Sequence, residues 1–429
     1  MGRVTTSSEY LPYNASTLAD GNGTTYNMSY NYDLADELTS FTYPSGRVVN
    51  TVYDHAARIS RLSDVYNGAT SNHASSVTYF PNRVIEAVTL GHPNLLGNAM
   101  TENTGLNSRL QISSRNVQLG SVDPVQFGFT YGSSGHNSGN LTQQTIQTIA
   151  APNPPPGVSV PALNLTQNYG YDAYDRLLSA AESGGSSEWT QNYLYDQWGN
   201  RAVQSGSYIP NPNGTPTATS QFTNNRWTSA SYDAAGDATS IPGTSTTALT
   251  YDAENRVATA NAGGTGTITY VYDGEGRRVQ KVTSPSTFAT NYIYDAFGKV
   301  IQESTIPTAG TSFPTEPPYN GTEYLIADHL GSMRLSLDNE GQVVKRYDFL
   351  PFGEELTAGV GGRGGGLRGI GLCVSYNSGR GVAKVHRQRT GFRDGPRLFR
   401  GQVFLVGAGP VHQCGLVGFA GSGSLCDSK

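Results

Sequence analysis

Cysteine, lysine and charge are scarce in this chain, and each shortage excludes a class of protein. No cysteine precedes Cys373, and three cysteines cannot all pair, so a disulfide-built scaffold is excluded before that point. Only 14% of residues are charged, against roughly 25% in an average soluble protein, which argues against coiled coils and helical bundles. With five lysines and a net charge of −5, the chain has no basic surface for DNA or RNA.

Long apolar runs are also missing. No window of about 18 apolar residues exists, so no membrane span is predicted. Residues 1–8 have neither the basic start nor the apolar core of a signal peptide, and the sequence alone therefore gives no cellular location.

The composition changes abruptly after Leu356. Residues 1–356 carry a net charge of −13 and 25 of the 26 tyrosines, whereas residues 357–429 carry +8 and 19 of the 52 glycines. Two Pro-rich stretches predict surface connections. We expect six segments: N-terminal repeats (1–66), a degenerate repeat region ending in a Pro-rich connection (67–165), a repeat array (166–306), a Pro-rich linker (307–323), a core motif (324–356) and a Gly/Arg-rich tail (357–429).

Tyr-Asp pairs recur along the chain, several of them at steps of 19 to 24 residues. Such internal repetition is typical of arrays of one supersecondary unit. The pairs are Tyr32-Asp33, Tyr53-Asp54, Tyr171-Asp172, Tyr195-Asp196, Tyr232-Asp233, Tyr251-Asp252, Tyr272-Asp273, Tyr294-Asp295 and Tyr347-Asp348.

The residues after each pair predict a tight turn. In Asp273-Gly274-Glu275-Gly276 the Asp carboxylate can accept turn N–H groups, and Gly tolerates positive φ at the closing position. A strand then leaves, so each unit is a hairpin of about 20 residues that must stack on its neighbours to bury a face. We therefore predict an all-β fold of stacked hairpins with tyrosine rings along one side. The repeated Tyr and Asp are assigned structural roles.

Two longer strings follow the repeats: residues 324–335 read Y-L-I-A-D-H-L-G-S-M-R-L, and residues 346–354 read R-Y-D-F-L-P-F-G-E. With the Tyr-Asp pairs, they resemble the YD-repeat proteins of the Rhs type, relatives of the toxin-complex C component and of teneurins. The resemblance covers roughly residues 26–356. Its core-motif residues are Asp328, His329, Leu330, Gly331, Ser332, Arg334, Pro351, Phe352, Gly353 and Glu354.

The resemblance implies part of a hollow β-shell that, in relatives, encloses a variable C-terminal toxin and delivers it to another cell. The implied partners are the remainder of a larger shell and its toxin, and the implied location is secreted or cell-surface. Glycans at the cell surface are partners only if the chain is an adhesion module. We expect a fragment of a larger protein. The family's D-P-x-G segment and autoproteolytic aspartates are not found after Glu355, so we expect no enzyme activity and assign no catalytic residue, cofactor or metal.

The tail suggests that the coding sequence slips frame near residue 360. Residues 398–404 allow codons that, read one nucleotide forward, give Y-F-G-A-R-Y-F, similar to the family's core-ending signature. The same shift allows R-K-F-T-G-K-E-R-D-S-G over 383–395 and G-R-F-T-S-A-D-W over 409–417. Three matches in the family's order favour a shifted frame, so we expect no packed fold from about 360 to 429. The alternative is a genuine Gly/Arg-rich toxin domain.

Other functions stay open at this point. Exposed Tyr and Trp rings (Trp189, Trp198, Trp227) could stack on sugars and make the chain an adhesion module. A toxin enzyme or autoprotease would need a convergent set of titratable groups, which the sequence does not offer. Asp328-His329 suggests an acid–base dyad, but neighbours in a strand point to opposite faces, and this favours a structural role. Zinc is disfavoured because only His412 and Cys414 of the His/Cys set lie close together and no CxxC exists.

Overall fold

The fold is described from a computed structural model. It covers residues 2–12, 23–91, 99–133, 135–150, 161–243, 248–261, 266–284, 288–307, 322–338, 341, 343–356, 359–363 and 403–405. This part of the chain consists of strands, turns and short 3-10 turns without an α-helix, and the predicted all-β fold is confirmed. Most of the predicted tail and most of both Pro-rich stretches lie outside these residues, but Pro307 ends one strand and residues 322–323 begin another where a linker was predicted.

One antiparallel sheet of fifteen strands, the long sheet, takes its strands in sequence order. Antiparallel neighbours in that order need only short turns, as the repeat predicts. The strands are β1 (Thr6–Pro12), β2 (Gly23–Tyr32), β3 (Leu38–Thr42), β4 (Val48–Tyr53), β5 (Ile59–Tyr66), β6 (Ala69–Tyr79), β7 (Ile85–Leu90), β8 (Met100–Leu106), β9 (Ile112–Leu119), β10 (Val122–Thr130), β11 (Gln143–Thr148), β12 (Leu163–Tyr171), β13 (Leu177–Ser183), β14 (Thr190–Tyr195) and β15 (Arg201–Gly206).

A second antiparallel sheet of six strands follows after two short hairpins. The hairpins are β16 (Phe222–Thr223) with β17 (Arg226–Trp227) and β18 (Ser231–Tyr232) with β19 (Ala238–Ser240). The second sheet contains β20 (Ala248–Tyr251), β21 (Val257–Asn261), β22 (Thr267–Tyr272), β23 (Arg278–Ser284), β24 (Phe288–Tyr294) and β25 (Val300–Pro307).

The described residues from Thr322 to Arg363 form a unit that we call the core module. It contains β26 (Thr322–Ala327), β27 (Met333–Leu337) and β28 (Val343–Arg346), and β29 (Val403–Leu405) pairs with the free edge of β26.

The core module packs on one face of the long sheet. Alternation along β10 shows how that face is made: Val125, Phe127 and Phe129 are buried, while Gln126 between them is only half-buried. The shared core contains Ala74, Val77, Val88, Leu90, Met100, Val117, Val125, Phe127, Phe129, Ile146, Leu163 and Leu165 from the sheet, and Tyr324, Ile326, Leu335, Leu337 and Val343 from the module.

A second cluster fixes the end of the core module. Leu350, Leu356 and Val360 pack against Trp189 and Tyr193 of the long sheet. Packing therefore continues past Leu356, where the sequence placed the end of the motif.

The second sheet returns to the start of the long sheet. The Glu9 carboxylate in β1 accepts a hydrogen bond from the Tyr294 N–H at 2.9 Å, and the Asn291 side-chain amide donates to the Tyr26 hydroxyl at 3.3 Å. The Ala296 N–H donates to the Tyr30 hydroxyl at 2.8 Å. The strip of hairpins is therefore wound, because its late strands contact its first two.

Candidate functional site

Most of the repeat aspartates organise the turn that follows them, whereas the Asp348 carboxylate pairs with Arg363 and Arg334. Asp54 Oδ1 accepts the N–H groups of Ala56 at 2.8 Å and Arg58 at 3.0 Å, and the Ala57 N–H donates to the Asp54 carbonyl. Ala57 takes the left-handed conformation, with φ 57°, at the position that Gly fills in other copies. The same pair of side-chain contacts is made by Asp33, Asp172, Asp196, Asp252, Asp273, Asp295 and Asp328.

The same turn also occurs where the sequence showed no Tyr-Asp pair. In the region called degenerate, Asn107 Oδ1 accepts the N–H groups of Arg109 and Gln111 as the repeat aspartates do. Turns of this shape also span residues 43–47 and 80–84. A search that allowed Asn or an aromatic residue in place of Asp could have found all three.

An arginine after four of the turns forms an ion pair with the turn aspartate, with N–O distances of 2.6 to 2.7 Å. The four pairs are Arg58–Asp54, Arg176–Asp172, Arg256–Asp252 and Arg277–Asp273. Side-chain hydrogen bonding from Arg58 lowers the pKa of the Asp54 carboxyl to about 2.

These arginines also reach the next hairpin, where each lies over a tyrosine ring. The distances from guanidinium carbon to ring centroid are 4.6 to 5.0 Å, within the range for a cation–π contact. The pairs are Arg58–Tyr79, Arg176–Tyr195, Arg256–Tyr272 and Arg277–Tyr294. We expected tyrosine rings to line one side of the sheet. At these four positions an arginine lies on the tyrosine ring and joins one repeat to the next.

The tyrosine hydroxyl completes the contact between hairpins. Tyr272 donates to the Val257 carbonyl at 2.9 Å, and Val257 begins the strand that leaves the preceding turn. The equivalent bonds are Tyr53–Leu38, Tyr79–Ile59, Tyr131–Ile112, Tyr171–Leu141, Tyr195–Leu177, Tyr251–Ala238 and Tyr294–Arg278. The sequence did not reveal this bond, because the acceptor is a backbone carbonyl of the previous repeat.

The earlier tyrosine of the Y-x-Y-D copies points into the core. Tyr30 and Tyr193 are each 2% exposed. The Tyr193 hydroxyl donates to Gln191 Oε1 at 2.6 Å, and Tyr169 donates to Gln167 in the same way. A glutamine two residues before the tyrosine is therefore part of the unit in these two copies.

Residues in the first half of the core motif make different contacts from one another. Asp328 holds its turn through Leu330 and Ser332, with Gly331 at positive φ, while the His329 ring lies 4.3 Å from the Phe129 ring of the long sheet. Asp328 and His329 thus face different surroundings. The arrangement supports a structural role for the pair over an acid–base dyad.

The second half of the motif forms another turn against the long sheet. Pro351, Phe352 and Gly353 occupy the exposed turn, and the Arg201 guanidinium lies 3.6 Å from the Phe352 ring centroid. Glu354 is buried and pairs with Arg201 at 3.3 Å.

The core module is also tied to the long sheet by a buried network of charges. Arg363 Nη1 and Nη2 donate to the two Glu182 oxygens at 2.7 Å each, and its Nε donates to Asp348 Oδ2 at 2.8 Å. Arg334 pairs with the other Asp348 oxygen at 3.0 Å. Burial raises the pKa of the Asp348 carboxyl, but Arg363, Arg334 and Arg346 outweigh burial and hold that pKa below its usual range.

The tryptophans proposed for sugar stacking are placed differently from one another. Trp189 is fully buried in the second cluster, Trp227 is half-buried, and Trp198 is 70% exposed at a turn. Within the residues that the structure covers, no three His, Cys, Asp or Glu side chains gather as metal ligands would. Nor do those residues include a helical segment able to span a bilayer.

The fold is similar to that of toxin-complex proteins. One match is the Photorhabdus luminescens Tc holotoxin pore with a substituted TccC3, with a TM-score of 0.53 and 15% identity over 82% of this chain and 19% of that chain. Others are the TcdB2–TccC3 complex (0.53, 15%, 85% and 20%) and the TcdB2–TccC3–Cdc42 complex (0.52, 15%, 85% and 20%). At this identity the likeness shows the fold alone.

This chain spans about a fifth of the length of those neighbours. No protein-family model matches it, and no curated protein matches its sequence.

Proposed function

We propose that this chain is a structural segment of a hollow, Rhs-type β-shell that encloses a polypeptide effector, and that it is not itself an enzyme. The observation that carries the proposal is the return of the second sheet to the first strands. Hairpins stacked in a straight row would not bring Tyr294 to Glu9, 285 residues away. A sheet that winds back towards its first strands can form a wall around an enclosed space.

The chemistry of the repeats supports a wall more than a catalyst. Their aspartates hold turns, their arginines pair with those aspartates and cover tyrosines, and their tyrosines bind backbone carbonyls. Side chains engaged in this way connect neighbouring hairpins, and few functional groups are then available to act on a substrate.

The likeness to toxin-complex chains supports the choice of shell and partners. One neighbour is a TcdB2–TccC3 complex solved without a hypervariable C-terminal region. We infer for this chain a secreted or cell-surface assembly in which a larger shell continues the wall. Within the described residues, β25 pairs with another strand on one side only, which leaves an edge for that continuation.

We further propose that the coding sequence changes frame beyond Arg363. Gly359–Arg363 pack on the long sheet, so they belong to the same selected sequence as the core module. Val403–Leu405 pair with Thr322–Tyr324 through backbone groups, and backbone pairing makes little demand on sequence. Reading the gene one nucleotide forward over codons 383–417 tests this, and absence of the F-T-G-K-E-R-D and Y-F-G-A-R-Y-F words would refute it.

The enclosure itself is tested with the complete gene in its restored frame. We expect the polypeptide that follows the core module to resist protease in the native protein and to be digested when the wall is opened by Glu9→Ala. Glu86→Ala, on an exposed position of β7, is the matched control. Digestion of that polypeptide in the parent protein as fast as in isolation would contradict enclosure.

Glycan binding is a second candidate, favoured by one observation. Tyr174 and Trp198 are 80% and 70% exposed at the turns of neighbouring hairpins, where they could stack on sugar rings. Trp198→Ala should abolish binding on a glycan array, with Tyr10→Ala as the control at an exposed tyrosine elsewhere. Equal binding by the parent and Trp198→Ala would remove this candidate.

A further inference from the structure

Residues 359–363 occupy a close-fitting site on the long sheet. The Gly361 N–H donates to the Ser187 carbonyl at 2.9 Å, within the turn between β13 and β14. A methyl group added at Gly361 would lie 2.1 Å from Glu182 Oε1, and one at Gly185 would lie 2.5 Å from the Gly361 carbonyl. Glycine is therefore required on both sides of the contact, since any side chain would separate the segment from the sheet.

Because the segment lies so close to the sheet, Arg363 reaches two carboxylates at once. It holds Glu182 with both terminal nitrogens and Asp348 with Nε, and Nη1 also donates to the Val360 carbonyl at 3.1 Å. Arg363 is 6% exposed and Glu182 is 3% exposed. Such a planar, two-pronged geometry suits arginine and not lysine.

The Glu182 carboxylate depends on this arginine. Its other side-chain hydrogen bond in the described structure comes from the Gln167 amide at 2.8 Å, which is uncharged. Without Arg363 a buried negative charge on the sheet would lose its compensating partner, and such a loss is strongly unfavourable.

We propose that residues 359–363 form a latch, in which Arg363 fixes to the long sheet the point from which the chain continues beyond the core module. The biological meaning of the latch rests on the proposed function. If the shell encloses a polypeptide, the latch makes that polypeptide start from one fixed place on the wall. Arg363 acts here as a positioning residue.

Trypsin cleavage after Arg363 reports directly on the latch. The protease must take the guanidinium into its own pocket, so cleavage requires Arg363 to leave Glu182 and Asp348. In the full chain, Glu182→Gln should raise the rate of cleavage after Arg363 by roughly a hundredfold, because it removes one charge of a buried pair. Glu86→Gln makes the same change at an exposed position of β7 and should change that rate by less than about twofold.

Cleavage after Arg277 serves as an internal reference for global unfolding. Arg277 lies in the turn between β22 and β23 and pairs with Asp273, not with the latch residues, so its cleavage should not accelerate in Glu182→Gln if only the latch opens. Should Glu182→Gln fail to fold, Arg363→Lys keeps both the positive charge and the trypsin site but loses the two-pronged contact. It should also speed cleavage at residue 363.

Equal cleavage rates after residue 363 in the parent, Glu182→Gln and Arg363→Lys would overturn the latch, whatever the fate of the enclosure proposal. If the two variants open the site but the polypeptide following the core module is unprotected in the complete protein, the latch stands and enclosure fails.

Discussion

Arg256 lies over the ring of Tyr272, with 4.7 Å between the guanidinium carbon and the ring centroid. Tyr272 in turn donates its hydroxyl to the carbonyl of Val257, the residue after Arg256. Two contacts thus join the beginning of one hairpin's outgoing strand to the end of a strand in the next hairpin. Because the pattern recurs along the chain, each hairpin is held mainly by its neighbours, as in other repeat proteins.

Removing one hydroxyl tests the hydrogen-bonded half of this contact. Tyr272→Phe should lower the free energy of unfolding by about 1 kcal/mol, the usual net value of such a bond. Tyr174→Phe, at a ring that is 80% exposed, should change it by less than about 0.5 kcal/mol. Urea unfolding measures both, and equal effects would show that the carbonyl contact contributes nothing.

A double-mutant cycle tests the stacked half. Arg256→Gln combined with Tyr272→Leu should give a coupling energy of about 0.5 to 1 kcal/mol, the range for a partly exposed cation–π contact. Arg256→Gln combined with Tyr53→Leu, which are in different sheets, should give a coupling near zero. A coupling no larger in the first cycle than in the second would contradict the stacking.

The turn carboxylates predict loss of stability in acid. The pKa of Asp54 is about 2 in the folded chain, against about 3.9 for an unperturbed Asp. Since the folded value is lower, ionised Asp54 favours the folded state above about pH 4, and this contribution is lost as pH falls towards about 2. Unfolding experiments across this range should show the loss.

Asp54→Asn is the matched control for the acid effect. Asn107 shows that an amide oxygen can hold the same turn, yet an amide does not titrate. The variant should therefore lose less stability than the parent between about pH 4 and pH 2. Parallel pH curves would mean that Asp54 does not contribute to the acid effect.

The packing of the core module on the long sheet is tested at Leu335. Leu335 is 1% exposed within the shared core, so Leu335→Ala should cost about 2 to 5 kcal/mol of unfolding free energy. Leu330, in the same motif, is 54% exposed, and Leu330→Ala should stay within about 0.5 kcal/mol. Similar small effects of both would indicate that the module is not docked.

The hairpins could be predicted because their signals are local. Asp at the first turn position and Gly or Asn at the fourth act within five residues, as Asp252 and Asn255 show. Where the first position is Asn107, or the turn begins at Tyr43 or Phe80, the same geometry was missed because a different side chain or none serves the turn.

The contacts that position the candidate site could not be predicted in this way. Arg363 meets Glu182 across 181 residues, and it lies in a Gly-rich stretch that composition alone assigns to the tail. Likewise, Tyr272 binds the backbone carbonyl of Val257. Any residue at position 257 would supply that carbonyl, so the sequence carries no signal of the bond. Only the order of strands in space reveals such pairs.

The winding of the strip is tested most directly by hydrogen exchange at Tyr294. Its N–H donates to the Glu9 carboxylate, so Glu9→Ala should accelerate exchange of the Tyr294 amide in the second sheet, while Glu86→Ala should not. Exchange at Tyr294 that is unchanged by Glu9→Ala would contradict the return of the second sheet to β1, and with it the shell.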